Sequence, residues 1–192
     1  MGTKFVFLLM VALILQANNK AYADKVDNDD LISKWCSRTE KKELCVKLIE
    51  ADPREELKRS PNGFCEIVRD KAVKDYVAAN SRIPAILKRT TVPFVRSCLI
   101  GECSEGYTQA IDKLKSLDFS VISRETYQNL AVSTSYGYTN PWDCEHCFKE
   151  GPPGLSIPPD LASDNRNLEN APSIIAIIIN LVVCNKIEAC QG

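Results

Sequence analysis

Residues Leu99 to Leu117 read LIGECSEGYTQAIDKLKSL, and this stretch decides the fold class. Its apolar residues recur at steps of three and four: Leu99, Cys103, Tyr107, Ala110, Leu114 and Leu117. That spacing places them on one face of an α-helix, whereas a half-buried strand would alternate apolar and polar residues. The stretch therefore predicts an amphipathic helix with a polar opposite face.

Helical patterns continue on both sides of this stretch. Residues 62–90 carry an apolar stripe that is interrupted by Pro84, where we expect a kink or a break. Residues 119–134 repeat the helical spacing. Two segments rich in turn-forming residues predict loops, SYGYTNPW at 135–142 and GPPGLSIPPDL at 151–161.

The most apolar run of the mature chain lies near its C-terminus, where residues 174–183 contain a single polar side chain, Asn180. Its β-branched residues would suit a strand, but no second strand-like run could pair with it. We therefore expect a buried helix that starts near residue 170 and is too short to span a bilayer. With a short hairpin at about 28–52, the helices predict an all-α, up-and-down four-helix bundle over about 62–188.

The first 23 residues have the features of a secretory signal peptide. Lys4 is positive, residues 5–15 are apolar, and Ala21-Tyr22-Ala23 forms a cleavage site before Asp24. A membrane anchor would need about 20 apolar residues, so this run is too short. The mature domain is expected to span residues 24–192 and to leave the membrane after cleavage.

Charge and composition exclude several functions. The chain has 24 basic and 25 acidic residues, so it lacks the basic excess of a nucleic-acid-binding protein. Its one histidine, His146, has no local catalytic motif around it. We assign no catalytic residue and expect no cofactor and no metal.

Nine cysteines in a secreted chain indicate a disulfide framework. Because nine is odd, at least one cysteine is left free or pairs between chains, which would allow a disulfide-linked dimer. All nine lie after the signal peptide, and they are Cys36, Cys45, Cys65, Cys98, Cys103, Cys144, Cys147, Cys184 and Cys190.

The sequence NPWDCEHCFKE at 140–150 contains a C-x-x-C motif, Cys144 and Cys147. A redox motif of this kind follows a β-strand at the start of a helix, and no strand is predicted here. A zinc site could add Cys98 and Cys103, but an oxidising compartment and a single histidine disfavour it. We favour a structural disulfide, because Cys103 and Cys144 would lie on neighbouring helices of the bundle.

Four short patterns occur in order along the chain: Cys36-x8-Cys45 with Thr39 inside it, Ala51-Asp52-Pro53, Cys103-x3-Tyr107-x2-Ala110-x3-Leu114, and Cys144-x3-Phe148. Together they resemble the plant invertase and pectin methylesterase inhibitors over most of residues 30–183. The resemblance implies a helical hairpin on a four-helix bundle, with disulfides Cys36–Cys45 and Cys103–Cys144. It implies a protein inhibitor, not an enzyme, that forms a 1:1 complex with a larger enzyme in the plant cell wall (apoplast) or the vacuole.

The remaining cysteines are assigned from the alternating helix directions of such a bundle. Cys65 and Cys184 would share one end of it, and Cys98 and Cys147 would share the other end. These positions predict the disulfides Cys65–Cys184 and Cys98–Cys147. Cys190 would then be left without a partner.

Pectin methylesterase is the expected target, and invertase (β-fructofuranosidase) is the alternative. Invertase inhibitors tend to carry Pro-Lys-Phe before the third bundle helix, where this chain reads Leu117-Asp118-Phe119. A secreted helical ligand, or a defence or storage protein without inhibitory activity, is the alternative from another class. The candidate contact residues, if not simply solvated, are Ser104, Thr108, Gln109, Asp112, Lys113, Ser116, Arg124, Glu125, Gln128 and Asn129.

Overall fold

An N-terminal helical hairpin opens the described part of the chain. The computed structural model describes the backbone of residues 30–186 and the side chains of residues 30–184, so the predicted signal peptide and Cys190 lie outside it. Helix α1 covers residues 30–36 and α2 spans Lys42–Glu50. The disulfide Cys36–Cys45 joins the two helices, as predicted.

The longest helix, α3 (Pro61–Arg89), runs through Pro84 without a break. At its start, Ser60 accepts a hydrogen bond of 3.1 Å from the backbone N–H of Gly63. Of the predicted kink or break at Pro84, the break is wrong, since the helix continues to Arg89. Pro84 is exposed, so its ring lies on the solvent side of the helix and does not disturb the core packing.

Residues 93–115 form one continuous helix with a wider turn inside it. Its three segments are α4 (Pro93–Cys98), a π-helical segment (Leu99–Glu105) and α5 (Gly106–Lys115). Leu99, Cys103 and Tyr107 are four residues apart, more than the 3.6 residues of an α-helical turn. The wider π-helical turn keeps these three side chains on one side, and all three are fully buried.

Helix α6 (Arg124–Lys149) contains residues 135–142, so the loop predicted there is wrong. The helix begins with a capping box between Ser123 and Thr126. It then continues for 26 residues, and its polar and proline-containing middle is fully helical. Tertiary contacts explain this continuity better than local propensity does.

Two of these contacts are hydrogen bonds to the segment of α6 around Pro141. Proline has no backbone N–H, so Pro141 cannot donate to the carbonyl of Gly137. The hydroxyl of Tyr76 on α3 donates a hydrogen bond of 2.6 Å to that carbonyl. One residue before the proline, the side-chain amide of Asn140 donates to the carbonyl of Gly106 at 2.6 Å. The neighbouring helices therefore supply the hydrogen bonds that fix this part of α6.

Two helices complete the described chain, α7 (Pro159–Leu168) and α8 (Asn170–Lys186). The sequence did not predict α7, whereas α8 is the expected buried helix. Contrary to expectation, the stretch Pro159–Cys184 is long and apolar enough to span a membrane by length and composition alone. Half of its most apolar window is buried inside the protein, as in the core helix of a globular domain. Its fully buried residues include Ile174, Ile175, Ile178 and Ile179.

Helices α3, α5, α6 and α8 form a four-helix bundle. α3 packs against α5 and α8, and α6 packs against the same two helices, so α3 and α6 are diagonal to each other. Helices that follow one another in the chain are neighbours, which confirms the up-and-down topology. No strand occurs within residues 30–186. The largest fully buried side chains of the core include Tyr76, Tyr107, Phe64 and Phe119.

Arg54 connects the end of the hairpin to the bundle. Its guanidinium donates to Asp52 at 2.8 Å and to Asp70 of α3 at 2.7 Å. The hydrogen bond from Arg54 holds the pKa of Asp52 below its ordinary value. Close by, the buried ammonium of Lys58 donates to the carbonyl of Glu50 at 2.9 Å. These bonds fix the hairpin to the first bundle helix.

The predicted Cys65–Cys184 disulfide is wrong. Cys65 lies near the start of α3, is free and is completely buried. Cys184 is disulfide-bonded, but not to Cys65. Helix direction alone does not show which face of α3 a residue occupies, and Cys65 is packed in the core. Burial also raises the pKa of its thiol well above the ordinary value and shields it from a second chain.

Candidate partner-binding surface

Two disulfides connect the helix of residues 93–115 to α6. They are Cys98–Cys147, with Cα atoms 5.8 Å apart, and Cys103–Cys144, with Cα atoms 4.6 Å apart. Both pairs were predicted. Each cysteine of the C-x-x-C motif is therefore bonded to the other helix, and neither the redox nor the zinc interpretation fits. The two cysteines of the motif are the α6 partners in two disulfides to the neighbouring helix.

A buried polar group lies beside the second of these disulfides. The hydroxyl of Tyr107 contacts Oδ1 of Asn165 and lies 3.6 Å from Sγ of Cys144. Nδ2 of Asn165 donates to the carbonyl of Pro141 at 3.1 Å. Burial raises the pKa of Tyr107 above its ordinary value, so its hydroxyl stays protonated. A buried side chain of α7, Asn165, thus bonds to both α5 and α6.

The polar face of α5 is exposed, as the sequence predicted. Gln109, Asp112, Lys113 and Ser116 all lie in solvent, and we call these four residues the α5 patch. The ammonium of Lys113 lies 5.4 Å from the ring centroid of Tyr136 on α6, within the range of a cation–π interaction. This contact directs Lys113 toward α6.

Two further candidates on this helix are engaged inside the protein. Oγ of Ser104 donates to Oδ1 of Asn80 on α3 at 2.9 Å. Nδ2 of Asn80 in turn donates to Oγ1 of Thr108 at 3.2 Å. Ser104 and Thr108 therefore connect α3 to the helix of residues 93–115, and they present less free hydrogen-bonding capacity than the α5 patch.

The candidates at the start of α6 are exposed too. Arg124, Glu125 and Gln128 form what we call the α6 patch, and the predicted Asn129 beside them is also exposed. Oγ of Ser123 donates to Glu125 at 2.7 Å, and this hydrogen bond holds the pKa of Glu125 below its ordinary value. Glu125 therefore carries its negative charge at mildly acidic pH.

The structure separates the two patches along the bundle. Because Lys113 lies beside Tyr136, the α5 patch is level with the middle of α6. Arg124 lies twelve residues before Tyr136, which is about 18 Å along an α-helix. The sequence placed all these residues on one surface, but a partner that contacts both patches must follow α6 over that length.

Beyond both patches, toward the C-terminal end of α6, lies an aromatic group that the sequence analysis missed. Trp142 is 56% exposed, more than any other aromatic residue among the described residues, and Tyr138 is 38% exposed. The Trp142 ring stacks on His146 with centroids 4.5 Å apart, and Nδ1 of His146 lies 3.4 Å from Glu150. Tyr138, Trp142 and His146 recur every four residues, a signal that the predicted loop concealed.

The comparisons with known proteins agree with this architecture. A family model described as plant invertase/pectin methylesterase inhibitor matches residues 30–178. The chain belongs to this inhibitor family. The members of this family are inhibitors of enzymes and are not enzymes themselves.

Individual inhibitors resemble the chain in sequence and in fold. A pectinesterase inhibitor from Actinidia deliciosa is 30% identical over 182 residues, 95% of each chain. The crystal structure of mutant form A of a pectin methylesterase inhibitor from Arabidopsis covers 78% of this chain and 95% of its own, with a TM-score of 0.59 at 15% identity. A pectin methylesterase inhibitor from Arabidopsis thaliana has a TM-score of 0.51 at 15% identity, covering 79% and 95%. At this identity the structures support the shared fold alone.

Proposed function

We propose that the protein is a secreted inhibitor of pectin methylesterase that blocks the substrate cleft of the enzyme. The observation that carries this proposal is the similarity to a pectinesterase inhibitor over 95% of both chains. The exposed polar helix faces of the bundle fit a binding protein. The enzyme would contribute all of the catalytic chemistry.

Rigidity is the physical basis of the proposed inhibition. The disulfides Cys98–Cys147 and Cys103–Cys144 fix α6 against the helix that carries the α5 patch. The Tyr76 and Asn140 hydrogen bonds hold the same segment from the core side. A surface fixed before binding loses little conformational entropy when the complex forms.

The α5 patch and the α6 patch are the proposed contact surface. They contain two cations, Lys113 and Arg124, and two anions, Asp112 and Glu125. A balanced surface of this kind makes local hydrogen bonds and ion pairs, whereas long-range attraction requires an excess of one charge. We therefore expect the contribution of these two patches to the affinity to depend on close fit and only weakly on ionic strength.

The proposal places a 1:1 complex outside the cell, in the apoplast. The signal-peptide features of residues 1–23 support export. The free Cys65 is completely buried, which argues against a disulfide-linked dimer through that thiol. One inhibitor bundle would then cover one enzyme cleft.

Invertase is the second target to test, because the family description names it. The phenylalanine of the Leu117-Asp118-Phe119 segment does not support it. Phe119 is 1% exposed and lies under the guanidinium of Arg69, 5.8 Å from ring centroid to Cζ. It therefore stabilises the bundle and is not available to a partner.

The test is a titration of residual enzyme activity. The oxidised, secreted protein is mixed at mildly acidic pH with a plant pectin methylesterase and, in parallel, with a cell-wall invertase. We expect pectin methylesterase activity to fall to its minimum near an equimolar ratio while invertase stays active. Loss of invertase activity alone would reassign the target. Full activity of both enzymes would contradict an inhibitory function and favour a secreted helical protein of another role.

A further inference from the structure

Trp142 lies mostly outside the packed core of the bundle. More than half of its surface is exposed, and within residues 30–184 its indole N–H donates no hydrogen bond. A single exposed apolar side chain is ordinary on a protein surface, whereas Trp142 lies one helical turn from the exposed Tyr138, so the two aromatic side chains lie together on one face of α6. At protein interfaces, tryptophan is the residue type most enriched among those that contribute most binding energy.

The surroundings of Trp142 hold it in place. Its ring rests on His146 one turn later, at a centroid distance of 4.5 Å and an interplanar angle of 28°. Cys144 and Cys147, which follow it in the same two turns, are bonded to the neighbouring helix. The exposed indole is therefore presented on the part of α6 that is covalently fixed to its neighbour.

On the helix that carries the indole, the charged side chains that follow it are mainly negative. Asp143, Glu145 and Glu150 come within eight residues of Trp142, and Lys149 is the only lysine or arginine between residues 142 and 150. Lys149 is 3.9 Å from Glu145, so it compensates one of the three carboxylates. An anionic pectin chain would be repelled by this border, whereas a protein surface with lysine or arginine side chains would be attracted.

We propose that Trp142 is the anchor of the enzyme complex and inserts into an apolar pocket bordered by basic side chains of pectin methylesterase. This inference rests on the proposed function and deepens it. It extends the contact surface past the α5 and α6 patches to the C-terminal half of α6. Stacking on His146 orients the indole, and the two disulfides prevent that half of the helix from moving away on contact.

The test compares inhibition constants toward a plant pectin methylesterase. Trp142→Ala should weaken inhibition on the order of 30-fold, as removal of a central aromatic anchor does. Trp142→Phe should retain part of the affinity. Val77→Ala is the matched control, because Val77 is 48% exposed and lies on α3, the helix diagonal to α6. The control should change inhibition less than twofold.

The outcomes separate this inference from the proposed function. If the unchanged protein inhibits the enzyme and Trp142→Ala inhibits it equally well, the anchor is wrong and the function stands. If the unchanged protein does not inhibit it, both are wrong. Binding to polygalacturonate that is lost in Trp142→Ala, with inhibition intact, would reassign Trp142 to a carbohydrate. Thermal unfolding should be the same for all variants, since the indole is exposed.

Discussion

The hydroxyl of Tyr76 lies 2.6 Å from the carbonyl oxygen of Gly137, the carbonyl that Pro141 leaves without a helical donor. A side chain of α3 thereby replaces a backbone hydrogen bond of α6, the helix diagonal to it. The continuity of α6 through its proline is a property of the assembled bundle. The bond also links the core to the segment that carries Trp142.

Tyr76→Phe should therefore destabilise the protein. The substitution keeps the ring in the core but leaves the buried Gly137 carbonyl without a donor, which costs about 1–3 kcal/mol. Urea unfolding measures the loss. Pro141→Ala restores the helical N–H, so the cost of Tyr76→Phe should shrink in that background in a double-mutant cycle. Equal costs with and without the proline would show that the hydroxyl does not serve this carbonyl.

Two glycines give a matched pair for helix packing. A Cβ on Gly137 would lie 2.5 Å from Cγ of Pro172, so Gly137→Ala should push α6 away from α8 and destabilise the protein by at least about 1 kcal/mol. A Cβ on Gly101 would meet no atom within 4 Å. Gly101→Ala should leave the stability unchanged or raise it by about 0.4–1 kcal/mol. Melting temperatures of both variants check this, and a stable Gly137→Ala protein would contradict the close approach.

The disulfides should differ in their contribution to stability. Cys103–Cys144 spans 41 residues and Cys36–Cys45 spans 9. Cys98–Cys147 closes the same loop from outside, so Cys103–Cys144 must be removed together with it. The loop-closure relation then predicts a loss of at least about 4 kcal/mol for the variant that lacks both of these disulfides, and about 2.5 kcal/mol for the variant that lacks Cys36–Cys45. Urea unfolding of the two variants measures the order. A larger loss for the hairpin pair would mean that strain or denatured-state structure outweighs loop length.

The ion pair of the hairpin junction should make stability depend on pH. Arg54 lowers the pKa of folded Asp52, so this carboxylate stabilises the protein above its unfolded pKa of about 3.9, and the contribution is lost as the pH falls through the folded pKa. Asp52→Asn should therefore lower stability at pH 6 more than at pH 2. Glu56→Gln, which removes an exposed carboxylate, is the control. An Asp52→Asn effect that is constant with pH would rule out this linkage.

Charge reversal should identify the enzyme-facing patches. Lys113→Glu with Arg124→Glu should weaken inhibition of pectin methylesterase about tenfold or more without unfolding the bundle, because both side chains are exposed. Lys34→Glu with Lys74→Glu changes the net charge equally at exposed sites on the hairpin and α3. Inhibition should survive in that control. If both double variants behave alike, net charge and not the patches controls binding.

Periodicity predicted the parts of the fold that local patterns encode. The stripe from Leu99 to Leu117 predicted its helix, and the run at 174–183 predicted α8. In the sequence, the only sign of the π-helical turn is that Leu99, Cys103 and Tyr107 follow one another at two consecutive intervals of four residues. Helix α7 was missed because its 10 residues are mostly polar and it begins at the second of two consecutive prolines.

The errors arose where tertiary contacts outweigh local preference. SYGYTNPW has the composition of a turn, yet Tyr76 supplies the hydrogen bond that lets it remain helical. The pairing of Cys65 was predicted from helix direction alone, which does not show that its side chain packs in the core. The exposed polar residues of α5 followed from the stripe itself. The position of the α6 residues relative to them, and the aromatic group around Trp142, required the helix register.

The buried thiol of Cys65 gives the molecule its own reporter of core opening. Because its side chain is 0% exposed, a thiol reagent reaches it only when α3 separates from its neighbours. The rate at which the peptide containing Cys65 acquires the label therefore measures the free energy of that opening without an engineered cysteine. An inhibitor that is bound to its enzyme should be labelled more slowly, so the same cysteine records complex formation from inside the protein.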